Sequence, residues 1–355
     1  TRHSSDLKLS ETYAYGFSWQ AWNAPKMLNY LLSNDIGARV AMKSFTAETA
    51  GLQHDFSAGS IIVPAGLQRN AQWLSMLNNA QSKFAVKVHP IDTGLTSKGI
   101  DLGSRNMRAL SLPKVLLVGG QGSSQYEVGE VWYHLDKHLG IAPTLIEQHR
   151  LGKVDLARYS HVILTDGRFN KLSDRAKVAL TGWVNKGGVI WGHKRGAKWL
   201  MNSQLLNAQS ITRKEMAEQF NTEGLQYGTR DALAAKQRIA GAIFATELDL
   251  SHPLSFGFQR RLLPMFKNST WLLKAPEQPF LLVNKYTKDP LLSGYAANEN
   301  VAKISESAAV VAHRYGQGSV IASSDNPVFR GYWYGSSRLL TNALFFGHTL
   351  SVQGR

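Results

Sequence analysis

Val189-Ile190-Trp191-Gly192-His193-Lys194-Arg195-Gly196-Ala197-Lys198-Trp199-Leu200 is the stretch on which the fold turns. Three apolar residues closed by a glycine read as a buried strand, and the chain passes at once into a short helix over Lys194 to Leu200. The same grammar recurs upstream. Lys114 to Gly120 is an apolar strand ending in glycines. Glu127 to Leu139 is a helix with Val128, Val131, Trp132, Leu135 and Leu139 on one face. Thr144 to Glu147 and His161 to Thr165 are short strands, the second ending at Asp166-Gly167. Ser173 to Asn185 is a helix stopped by Gly187-Gly188. Strand, tight turn and helix in series predict an α/β, doubly wound, mostly parallel sheet, with ligands at the carboxyl ends of its strands.

Beyond this block, residues 204–306 read as a β-rich insertion. It opens on the capping box Thr212-x-x-Glu215 and contains strands at Ala242 to Leu248 and Phe280 to Val283. A hairpin follows, Ala309 to His313 and Ser319 to Ala322 around Gly316-Gln317-Gly318, and then a last helix from Ser336 to Phe346. Before the block, residues 1–110 form a smaller α/β domain. Asn23 caps a helix with Pro25 in its first turn and Ala24, Met27, Leu28, Leu31 and Leu32 as its stripe. Arg39 to Met42 and Ser60 to Pro64 are strands. A second helix starts at Asn70, with Trp73, Leu74 and Leu77 inward, and Phe84 to Val88 closes a βαβ-like unit, which implies a small parallel sheet. Thr93 to Ser111, punctuated by Gly and Ser, reads as the linker to a second domain over 111–355.

Bulk composition narrows the function classes. The 355 residues are 43% hydrophobic and 18% charged, enough for two buried cores and not the profile of a disordered chain. No apolar run reaches membrane-spanning length. There is no cysteine, which removes disulfides, thiolate metal sites and a Cys nucleophile. The formal charge of +15 attracts polyanions, yet Lys and Arg are scattered except for His193-Lys194-Arg195 with Lys198. No basic-aromatic ladder of a nucleic-acid module exists, so no nucleic-acid partner is expected. The start Thr1-Arg2-His3-Ser4-Ser5 lacks an initiator Met and reads as a cut end.

No complete catalytic set emerges. No His begins the H-x-x-E pair of a carboxypeptidase zinc site; His3 and His89 have only Asp at the third position. Glu130, His134 and His138 make an i, i+4, i+8 row that could hold a metal on a helix face, but the neighbouring row is the core face, so this one is expected to face solvent. Gly120-Gln121-Gly122-Ser123-Ser124 resembles a phosphate loop without its lysine, which leaves a glycine turn or an anion contact through Gly120 and Ser123. Asp166 closes a strand at the ligand-binding edge. In the loop Ser323 to Tyr334, Arg330 and Trp333 are candidates for a carboxylate and a sugar or peptide ring, unless Arg330 simply pairs with Asp325. At the strand-to-helix turn a side chain stands above the sheet beside backbone N–H groups able to act as an oxyanion hole. Lys194, between His193 and Arg195, occupies that place. It reads as part of a basic, solvated turn, with Schiff-base or general-base chemistry as the alternative.

Two resemblances follow from these segments. The turn at Gly192 to Gly196 is similar to the one on which class I glutamine amidotransferases carry their cysteine, so the resemblance implies an amidotransferase- or flavodoxin-like fold with Lys194 in place of the nucleophile. The ordered set Ala24 to Leu32, Phe56 to Pro64, Asp249 to Gly257, Pro290 to Tyr295, Asn326 to Trp333 and Leu339 to Gly347 resembles the region C-terminal to the catalytic domain of bacterial zinc carboxypeptidase-like proteins. That second resemblance implies an exported protein with no cofactor in this region, its zinc being held by an upstream domain. The expected role is non-catalytic: substrate recognition, docking on the parent's catalytic domain, or homo-oligomerisation, with a peptide or cell-wall substrate. A degenerate amidotransferase-fold hydrolase using Lys194 or His193, and a polyanion- or glycan-binding module, are the alternatives.

Overall fold

The computed structural model describes residues 12–169 and 172–354; His3 and the Thr1–Ser5 start lie outside them. The chain divides into two compact units, one of Thr1–Pro113 with Leu135–Ala142 and Ser251–Gln259, the other of Lys114–His134, Pro143–Leu250 and Arg260–Arg355. No helix among the described residues is long and apolar enough to cross a membrane.

The first unit runs β1 (Ala14–Phe17), α1 (Ala24–Ser33), β2 (Arg39–Ala41), β3 (Phe45–Thr49), β4 (Leu52–Phe56), β5 (Ile61–Pro64), α2 (Trp73–Phe84), β6 (Val88–Ile91) and β7 (Met107–Ala109). Its sheet has the order β6-β1-β5-β2-β7, and every neighbouring pair is antiparallel. This corrects the expected parallel sheet. Each helix does connect two strands of the same direction, but an antiparallel strand slots between them, as in the split βαβ arrangement. Local periodicity registers the crossover and is blind to the strand inserted from elsewhere. Asn23 does not cap α1 with its side chain; its Nδ2 donates to the Phe84 carbonyl at 2.9 Å and ties the start of α1 to the end of α2. Phe84 ends α2 rather than opening a strand, because Ala85 turns left-handed at φ 52°. The expected linker carries β7, paired with β2.

The second unit is a mixed α/β fold. In chain order it has β8 (Val115–Gly119), α3 (Gln125–Tyr133), β9 (Thr144–Glu147), β10 (His161–Leu164), α4 (Asp174–Asn185), β11 (Val189–His193), α5 (Arg195–Asn202), β12 (Ser210–Ile211), α6 (Arg213–Ala217), α7 (Arg230–Lys236), β13 (Ala242–Leu248), β14 (Leu262–Lys267), β15 (Leu272–Leu273), β16 (Leu282–Gly294), α8 (Asn298–Ile304), β17 (Ala308–Tyr315), β18 (Gly318–Ser323) and α9 (Tyr334–Phe346). The sheet order is β14-β13-β16-β17-β18-β11-β10-β8-β9. From β9 to β18 the strands are parallel; from β18 to β14 they are antiparallel. The parallel half explains the unbroken apolar runs Val115–Val118, Val162–Leu164 and Val189–Trp191, buried on both faces. The segment expected as an insertion supplies β13, β14 and β16 and extends the sheet. Residues Ser336 to Phe346 of α9 are all buried, so this helix is covered all round.

Helix α3 departs from expectation. It ends at Tyr133 and continues as a wide π turn over His134–Leu139, which breaks the i, i+4 register. The Glu130 row does not face solvent: His134 is buried and its Nε2 lies 2.9 Å from Thr341 Oγ1. Trp132, expected inward, is 47% exposed.

Candidate functional site

The site is built on the carboxyl ends of β10, β11 and β18 and the first turn of α3. Strand β11 ends at His193, and Lys194 takes φ 52°, ψ −118°, a strained conformation for a residue with a Cβ. Close packing enforces it. A Cβ on Gly196 would stand 2.4 Å from the Leu164 carbonyl oxygen, and one on Gly192 would stand 2.9 Å from Ala197 N. Glycine on either side therefore lets strand and helix meet at a tight elbow with Lys194 at its apex.

The turn is not solvated as expected. His193 is fully buried and Lys194 is 7% exposed. Lys194 Nζ donates to Glu127 Oε1 at 2.6 Å and lies 3.4 Å from Asp166 Oδ2. His193 Nε2 sits 2.9 Å from Glu127 Oε2, and its Nδ1 accepts the Trp191 indole N–H at 3.2 Å. An indole only donates, so Nδ1 carries no proton and the ring donates from Nε2 to Glu127. Arg195 grips Asp166 with two bonds, Nε to Oδ1 at 2.5 Å and Nη2 to Oδ2 at 3.0 Å. The Arg195 backbone N–H also donates to Asp166 Oδ1, at 3.3 Å.

These contacts order the charges. Burial works against ionised Glu127, but the hydrogen bond from His193 and the charge of Lys194 outweigh it, and its carboxyl stays below the usual range. Burial likewise opposes the Lys194 ammonium, and Glu127 and Asp166 together hold it above its ordinary value. Asp166 is held down to about 2 from 3.8: burial opposes this, and Arg195 and Lys194 overcome it. The stability Asp166 supplies is thus complete above pH 3.8 and is lost as pH falls towards 2. Asp166→Asn is expected to cost roughly 2 kcal/mol at neutral pH and to remove that acid-side loss. Urea melts at neutral pH and near pH 3 check it.

A second buried cluster follows β18. Lys267 Nζ donates to Asp325 Oδ1 at 3.0 Å, and Tyr286 and Ser324 donate to Asp325 Oδ2. Burial pulls Lys267 below its ordinary value against the pull of Asp325. Asp325 therefore does not pair with Arg330. Arg330 is exposed and sits at φ 51°, its guanidinium 5.3 Å from the Phe329 ring centroid. Trp333 is half-buried against Phe266, and its indole N–H has no hydrogen-bond partner among the described residues. Gly120 and Ser123 are tied into the neighbouring loops. Ser123 Oγ accepts from Gln148 at 2.9 Å, Ser123 bridges Gly167, and a Cβ on Gly120 would press on Glu147 at 2.8 Å.

The geometry therefore unites Asp166, His193 and Lys194 with Glu127, which the sequence reading did not single out. The available signal was Ser124-x-x-Glu127, a capping-box spacing. Ser124 does accept the Glu127 N–H, but the carboxylate turns to His193 and Lys194 instead of back to the cap. No three His, Asp or Glu side chains among the described residues converge as a metal-binding set.

No family model matches the chain, and no curated protein does. Among solved structures, it is similar to a provisionally assigned GMP synthase component of Thermoplasma acidophilum (11% identity, 65% of this chain and 92% of that one, TM-score 0.38). A ThuA-like protein of Parabacteroides merdae matches at 13% identity over 68% of this chain and 92% of that one, TM-score 0.45. The exo-β-1,4-mannosidase Op5Man5 of Opitutaceae bacterium strain TAV5 matches at 12% identity, 78% of this chain and 40% of that one, TM-score 0.35. No carboxypeptidase is among the matches, which corrects the expected zinc-carboxypeptidase parentage. Of the segments that suggested it, Pro290 to Gly294 is the end of β16. The expected upstream zinc domain, export and parental docking partner rested on that resemblance alone.

Proposed function

We propose that the second unit is an amidotransferase-like α/β domain whose elbow holds an ion-pair lattice in place of a nucleophile, and that the chain works by binding rather than turnover. The observation that carries this is the commitment of every group chemistry would need. Lys194 is held as a cation between two carboxylates, so it is neither a Schiff-base amine nor a general base. Both ring nitrogens of His193 are engaged. The Arg195 N–H, an oxyanion-hole donor by position, already binds Asp166. The order β9-β8-β10-β11-β18, which is 2-1-3-4-5 in chain order, supports the flavodoxin-like assignment. For ligand contact the unit offers Arg330 with the exposed Tyr332 and Tyr334 after β18, in a chain of net charge +15. This favours an anionic polymer such as a cell-wall glycan.

One experiment addresses both halves. The purified chain is offered glutamine, ester and peptide substrates, and separately an immobilised anionic glycan over a salt series. Expected are no turnover and retention that weakens steeply with salt and with Arg330→Ala. Turnover that disappears in Lys194→Met overturns the binding reading, and retention indifferent to salt removes the polyanion.

A further inference from the structure

The first unit holds an open cavity of about 700 Å³ that the proposed function does not use. It is lined by Ser18, Ser44, Ser57, His54, His89 and Lys98, with Asp55 and Phe56 beside them. His54 on β4 and His89 on β6 stack face to face, ring centroids 3.9 Å apart and planes 19° from parallel. Phe56 meets His54 edge-on at 4.7 Å. Neither imidazole has a hydrogen-bond partner, and Lys98 has no carboxylate partner, among the described residues.

Three ligand classes can be weighed against this geometry. A tetrahedral metal needs nitrogen lone pairs that converge on one point, and near-parallel rings send them side by side. A ring-stacking ligand needs an open aromatic face, and one face of each imidazole is taken by the other ring, with Phe56 edge-on beside them. What the cavity does offer is donors: an ammonium, two imidazoles and several hydroxyls. Among the described residues of the lining Asp55 is the one carboxylate, and its Oδ1 already accepts from Thr46 at 2.6 Å. The geometry points to a site for an oxyanion, a phosphoryl or carboxylate group, held by Lys98 and the lining hydroxyls against the edge of the His54–His89 stack.

Proton uptake accompanies such binding. His89 lies at about 4, through burial first and then the charges of His54 and Lys87; His54 is lowered by burial and Lys87, with Asp55 opposing. Lys98 is the remaining charged side chain among the described residues of the lining. An anion at the stack adds an attraction that opposes the burial and the repulsion keeping the rings neutral, so affinity rises as pH falls, by up to about tenfold per pH unit for one proton taken up.

The test follows the histidine ring protons of the full chain by NMR while sulfate or acetate is added between pH 7 and 5.5. Sulfate stands for a tetrahedral phosphoryl group and does not titrate in this range. The expected result is movement of the His54 and His89 signals, an upward shift of the His89 titration, and affinity that grows towards acid. Lys98→Ala, an exposed substitution that leaves folding intact, is expected to weaken binding at least tenfold. A response to sulfate alone assigns a phosphoryl-type ligand, to acetate alone a carboxylate. Silence of both rings to both anions overturns the site, as does binding that ignores pH and survives Lys98→Ala.

Discussion

Lys194→Ala is expected to lower the unfolding free energy by roughly 3–5 kcal/mol, the cost of removing one partner from a buried ion pair. Glu127 would keep the His193 ring and the Asp166 backbone N–H but no cation, and Asp166 would keep Arg195. Alanine retains the Cβ, so the strained φ of 52° is unchanged and the loss reports the buried charge together with the packing of the lysine stem. Glu127→Gln is costly for the same reason. Because the two side chains share one bond, the double variant is expected to fall short of the sum of the singles by about 0.5–3 kcal/mol. Urea unfolding of the four proteins measures both quantities. A loss under about 1 kcal/mol for Lys194→Ala is the value of a solvent-exposed pair and would contradict a desolvated elbow.

Acid instability is the second large effect expected. His161, at the amino end of β10, is buried; its Nδ1 lies 2.8 Å from Ser160 Oγ, and its Nε2 has no hydrogen-bond partner at full geometry among the described residues. Burial, and then the nearby His348, push its ionisation down to about 3, with only the backbone at Ala343 acting the other way. Above pH 6.5 the ring is neutral folded or unfolded and costs nothing. Below 6.5 the unfolded chain takes up a proton that the folded one refuses, and stability falls until about pH 3. The loss across that window is roughly 4 kcal/mol. His161→Leu removes the proton uptake, so its unfolding free energy is expected to stay much flatter between pH 7 and 4. Parallel pH profiles for the two proteins would show that His161 is not the group responsible.

The α/β class of the second unit was readable because parallel strands buried on both faces leave continuous apolar runs, and because glycine is required where Gly192 and Gly196 let strand meet helix. The charges at that elbow were misread as solvated because their partners are remote. Lys194 finds Glu127 at a separation of 67 residues, and Lys267 finds Asp325 at 58. A basic triplet beside glycine looks the same whether it faces water or two buried carboxylates. The antiparallel sheet of the first unit escaped for a related reason: β5 enters between β1 and β2, and that choice is made by pairing, not by any window of sequence. Phe84 and Asn23 failed locally, one through a left-handed alanine and the other through a longer-range bond that displaced the cap.

The position of β18 has a consequence for synthesis. It lies between β11 and β17, yet it is translated long after β11, with all of β12 to β17 in between. Until it emerges from the ribosome, the Val189-Ile190-Trp191 edge has no neighbour on that side. A nascent chain must therefore shelter an apolar strand edge for the time needed to make that intervening segment, which makes this edge the natural point for chaperone engagement or for aggregation when translation stalls.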